Sequence, residues 1–149
     1  MKNEYIMTLK GAQDWGGDTD TTEMQSACTL SNEDGAYIIR YEELPPFGGE
    51  KVTTEFAVRG DTVTMQRGAD RDGRMVFEKG ERHTCWYSTP VGSFAVGICT
   101  QTVESELSCE GGFVNLGYTI DVNSALRAQN KISITLRKAD KENGCNLGS

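Results

Sequence analysis

KVTTEFAVRGDTVTMQRG, residues 51–68, alternates with the period of a strand on both sides of a turn. Val52, Thr54, Phe56 and Val58 fall on one side, and Lys51, Thr53, Glu55 and Ala57 on the other. After Arg59-Gly60-Asp61, Val63 and Met65 oppose Thr62, Thr64 and Gln66. Glycine tolerates the positive φ that a tight turn needs, so the stretch predicts a β-hairpin.

The same pattern extends in both directions. Strands are predicted at EYIMTLKG, TEMQSACTL, GAYIIRYEE, RMVFEKG, HTCWYS, SFAVGICTQ, VNLGYTIDV and KISITLRKA, separated by Gly, Asp, Asn and Pro. Val114, Leu116, Tyr118, Ile120 and Val122 make one long apolar face, and Ile132, Ile134 and Leu136 another. NSALRAQN, residues 123–130, is the one weak helix candidate and reads as a long loop with a single turn. Eight to ten consecutive strands without a crossover helix predict an all-β, antiparallel, up-and-down barrel, because closure removes exposed edges. A two-sheet sandwich is the competitor. One domain is expected over residues 1–149, with a core from about 4 to 138 and a flexible tail from 139 to 149.

With 37% hydrophobic and 25% charged residues the chain has the composition of a folded protein. Its formal net charge of -7 argues against nucleic acid or an anionic membrane surface as partner. No export signal or membrane span is visible. The five cysteines, Cys28, Cys85, Cys99, Cys109 and Cys145, are odd in number and form no close pair, so reduced thiols in a cytoplasm are expected, with Cys145 exposed in the tail.

Candidate chemistry starts from the only histidine. On a strand, His83 and Cys85 share a face, which permits a thiol–imidazole dyad without enforcing it. No motif marks an orienting partner or an oxyanion hole, and the plainer reading is a hairpin turned by Pro90 and Gly92. The residues therefore assign no catalytic set. One histidine with scattered cysteines gives no metal-ligand spacing, Asp14, Asp18 and Asp20 lack the rest of a calcium loop, and no cofactor is implied. In GAYIIRYEE, Ile38, Arg40 and Glu42 share a face. Were it inward, Arg40, Glu42, Arg67 or Glu78 would need an internal partner or a ligand; the outward reading, with these groups meeting water, is preferred.

The ordered set Tyr41-Glu42-Glu43, Arg67-Gly68, Phe77 with Gly80, and Tyr87-Ser88-Thr89-Pro90-Val91-Gly92 resembles the YwiB-like family of small bacterial proteins, a domain of unknown function. The resemblance spans roughly residues 4–138. It implies a calycin-like (lipocalin-like), cytoplasmic β-barrel, and it brings no assigned catalytic residues.

Small-ligand binding is the expected function, of an apolar or carboxylate-bearing molecule, since calycin barrels are wide enough for one small ligand. Arg40 and Arg67 are the expected anion partners, Glu42 joins them, and Tyr87 is the expected hydrogen-bonding wall. The alternative is a filled barrel whose surface, around Phe47, meets a protein or a second copy. An enzyme using Cys85 and His83 is the reserve.

Overall fold

The computed structural model describes residues 3–14, 16–43, 49–68, 74–122 and 125–139, with backbone alone at residues 3, 87–89 and 126. These form ten strands and, among the described residues, no helix: β1 (Asn3–Asp14), β2 (Thr19–Glu33), β3 (Ala36–Glu43), β4 (Val52–Arg59), β5 (Thr62–Arg67), β6 (Met75–Glu78), β7 (Arg82–Thr89), β8 (Gly92–Ser108), β9 (Gly111–Val122) and β10 (Leu126–Lys138). The tail from residue 140, Cys145 within it, and Phe47 lie outside the described residues.

Residues 51–68 fold as their alternation predicts. Arg59 pairs with Thr62 across the turn, and Gly60 takes φ 59°. Thr54, Phe56, Val58 and Val63 turn inward and are buried. Pro90 and Val91 likewise connect Thr89 to its partner Gly92.

All neighbouring strands are antiparallel in one sheet, ordered β6-β5-β4-β3-β2-β1-β10-β9-β8-β7. Chain-sequential hairpins give every neighbour except β1 and β10, whose pairing from Tyr5↔Lys138 to Asp14↔Gln129 joins the two ends of the chain's sheet. The sheet thus curls into a nearly closed barrel. Its two edge strands, β6 and β7, are consecutive, and β6 has only four residues. The corner between them closes the seam: Gly80 N donates to Thr100 O at 2.9 Å, and Thr100 N donates to Glu81 O at 3.3 Å. A bulge in β8 between Thr100 and Thr102 lies beside this contact, bending the strand where it meets the corner.

The interior is a side-chain core. Tyr5, Met7, Leu30, Ile39, Phe56 and Phe77 are essentially inaccessible to solvent. Phe77 packs on Tyr118 with ring centroids 4.7 Å apart, and Tyr41 stacks on Phe56 at 6.3 Å. Each buried ring or branched side chain contributes about 1.5–3 kcal/mol, so this core is the main stabilising term.

Two expectations are corrected. The described part of 123–130 is strand, not loop: Leu126 to Asn130 pair with Val122 to Tyr118, and Ala128 and Asn130 turn inward and are buried. The helix-like spacing of NSALRAQN gave way to a tight hairpin in which Ala125 N donates to Val122 O. Cys28, Cys85 and Cys99 are thiols as expected, whereas Cys109 is disulfide-bonded, its partner lying outside the described residues.

Candidate functional site

Strand parity decides where each expected ligand residue points. Ile39 and Tyr41 occupy the inner positions of β3 and are buried, so Arg40 and Glu42 project outward. Arg40 is already engaged: its Nε donates to Glu55 Oε1 at 2.8 Å and its Nη1 to Glu33 Oε2 at 3.0 Å. The bond to Glu33 above all, with that to Glu55, holds its guanidinium more firmly protonated than usual. Glu42 is exposed, opposite Thr53.

Arg67 shares a face with its inward partner Thr54, but at the strand end, where it reaches the barrel mouth half-exposed. There its Nη2 lies 3.4 Å from Glu43 Oε1, while Thr54 donates to Glu43 Oε2 at 2.7 Å. Burial first, and then the Glu43 carboxylate, push the Tyr41 hydroxyl up to about 12. The side chain of Tyr87 lies outside the described residues.

Of the three described side chains, Arg40 and Glu42 point outward while Arg67 stands at the barrel mouth. Arg40 and Glu42 do line one cleft of about 450 Å³, opened because the β2–β3 ladder stops at Thr29↔Arg40 and the strands then diverge. His83 and Cys85 stand on the inner face of β7, opposite Ile98 and Val96. His83 Nε2 lies 2.9 Å from Glu78 Oε1 across the seam. Among the described residues no cluster of three or more His, Cys, Asp or Glu side chains is placed to hold a metal ion.

A larger groove, of about 630 Å³, lies on the outside of the sheet where five long strands run side by side. Cross-strand register builds it from two rows. The first runs Thr21, Ala12, Lys131, Gly117, Thr102 across β2, β1, β10, β9 and β8; the second, two residues along, runs Glu23, Lys10, Ser133, Asn115, Glu104. The hollow follows from the residue types: Ala12 and Gly117 flank Lys131 with almost no side chain, and backbone of Gly11, Leu116 and Ile132 forms the floor.

Two cations face this groove without a partner. Arg40, Arg67, Arg82 and Lys138 are paired with carboxylates, whereas the Lys10 and Lys131 ammonium groups have no hydrogen bond or ion pair among the described residues. Sequence reading missed both. Each stands on the polar side of an alternating strand, and only the β1–β10 pairing, which no local signal encodes, brings them together.

The family model of a domain of unknown function (DUF1934) matches residues 7–134. The crystal structure of the ywiB protein from Bacillus subtilis is similar over 93% of this chain and 94% of that one, with a TM-score of 0.82 and 18% sequence identity. That likeness shows a common fold, as the ordered motifs of the sequence implied. No curated protein matches the chain.

Proposed function

Because the chain belongs to the DUF1934 family of domains of unknown function, its activity has to be read from its own geometry, and we propose a small-ligand-binding barrel that holds its ligand on the outside of the sheet. The observation that carries this is the five-strand groove of about 630 Å³, a size in the usual range for small-molecule sites. The packed interior supports the outside location, since Tyr5, Phe56 and Phe77 fill the space that a lumenal ligand would need. The test is native mass spectrometry of protein purified from its own host, compared with an Ala12→Trp variant. A stoichiometric small molecule that leaves on denaturation and is missing from the variant supports the groove. A molecule retained equally by the variant overturns it.

Exposed Trp86 and Val91, both on the β7–β8 hairpin, favour a second reading, a filled barrel that meets a protein or a second copy. Sedimentation of the protein with Trp86→Ser as comparison decides it: a concentration-dependent complex lost in the variant supports this reading.

The compartment we propose is the cytoplasm. The thiols at Cys28, Cys85 and Cys99 support it and the Cys109 disulfide opposes it, so trapping thiols with an alkylating reagent in living cells is the deciding measurement.

A further inference from the structure

We infer that the groove ligand is a small molecule with one carboxylate and an apolar body, its acid group held by Lys131, Lys10 and Asn115; this rests on the groove reading above. Lys131 is the anchor. Its direct cross-strand neighbours, Ala12 and Gly117, carry no functional group, and the nearest acid by register, Asp14, is diagonal to it on β1 and accepts from Gly17 N. Lys10 and Asn115 lie diagonally to it on β1 and β9, about 7–8 Å away between Cα positions, within reach of two long side chains converging on one anion.

Asn115 adds a directed donor. Its Oδ1 accepts from Ser133 Oγ at 2.7 Å, which fixes the amide and turns Nδ2, with no partner among the described residues, to donation. Three donors thus surround the centre of the groove, over Ser133. Charge-assisted bonds from ammonium to carboxylate are the stronger kind, and a second donor fixes orientation.

The charge layout narrows the class further. Glu23 and Glu104 stand on the outermost strands, opposite Lys10 and Asn115, so the groove is positive along β1 and β10 and negative at both ends. A single carboxylate fits that centre, whereas a polyanion extending along the row would meet both glutamates, in a chain already at -7. Ala12 and Gly117 place no polar side chain beside Lys131, which leaves room there for an apolar body.

The probes are octanoate, octanol and octylammonium, three heads on one chain, titrated into the whole protein while backbone amides are followed by NMR. Octanoate is expected to bind tightest and to shift the amides of Ala12, Asn115 and Lys131; Lys131→Gln is expected to weaken it about tenfold and leave octanol unchanged. Equal binding of octanoate and octanol, both lost in Ala12→Trp, would overturn the carboxylate assignment while leaving the groove reading intact. Failure of all three probes to move the groove amides would overturn the groove reading itself.

Discussion

Thr100→Val tests whether the barrel is solid. Thr100 is 1% exposed and points inward opposite Tyr118, and its Oγ1 has no hydrogen-bond partner among the described residues. Valine keeps the branched shape and leaves the backbone bonds to Gly80 and Glu81 in place. A hydroxyl buried without a partner costs about 1–3 kcal/mol, and a buried methyl in its place contributes about 0.8 kcal/mol. Area sums of this kind are upper bounds, so the expected gain is about 1–2 kcal/mol. For a chain of this length that is a rise in Tm of roughly 3–6 °C. Urea unfolding of both proteins under identical conditions measures it, with equal m-values showing that the denatured state is unchanged. A loss of about 1 kcal/mol or more would mean that the hydroxyl meets a water or a ligand inside the barrel. The filled-interior reasoning, and with it the outside location of the ligand, would then fail.

The glycines of the sheet give a paired prediction. Gly112, at φ 137°, would direct a Cβ into the Glu106 carbonyl, whereas Gly80, at φ 84°, has open space. Gly80→Ala should therefore cost about 1–2 kcal/mol for the left-handed backbone alone, and Gly112→Ala about 3 kcal/mol or more; equal losses in urea unfolding would refute the contact argument. A double-mutant cycle on Arg40 and Glu55 should give a coupling of at most about 1 kcal/mol, because both side chains are partly solvated, and added salt should shrink it. Ligand affinity should be unmoved by Arg40→Ala, and a large drop would return Arg40 to the site. Burial pushes Cys28 from 9.0 to about 12, and Tyr118 and Tyr41 from 10.0 to about 12. The folded state keeps these protons after the unfolded chain has released them, so their contribution is full below pH 9 and is lost as pH rises toward 12. The urea midpoint should fall steadily above pH 9, and a midpoint flat to pH 11 would contradict the burial of these groups.

Alternation made the fold legible because burial against a barrel core imposes a period of two on every strand. Residues 51–68 show the inference at its best: Phe56, Val58 and Val63 are apolar where their outward neighbours are not, so period and sign are both readable. In β3 only the period is readable. Ile38 shares the face of Arg40 and Glu42, while Ile39 and Tyr41 make the other face, and two half-apolar faces do not say which one meets the core. Arg40 attracted interest as a cation on a partly apolar strand. The structure accounts for it through Glu33 and Glu55, which the β2–β3 and β3–β4 hairpins bring to it, and those are local pairings that sequence separation made accessible.

The groove was illegible for a different reason. Its two rows cross β2, β1, β10, β9 and β8, and the step from β1 to β10 joins opposite ends of the chain. In the sequence Lys10 is a polar residue ending one strand's apolar run and Lys131 a polar residue opening another's. Neither is unusual until Ala12 and Gly117 are seen on either side of Lys131. A small residue on an outward position removes nothing from the core, so core packing does not explain it, and Gly117 weakens a strand by roughly 0.5–1 kcal/mol relative to alanine. A Cβ at Gly117 would stand 3.3 Å from the Cβ of Thr102, an atom that no rotamer change moves. Local crowding against Thr102 is therefore one reason for glycine there. On the proposed reading the same glycine has a second effect, since with Ala12 it leaves the hollow beside Lys131 open, and affinity for octanoate should fall in Ala12→Trp while the fold is kept.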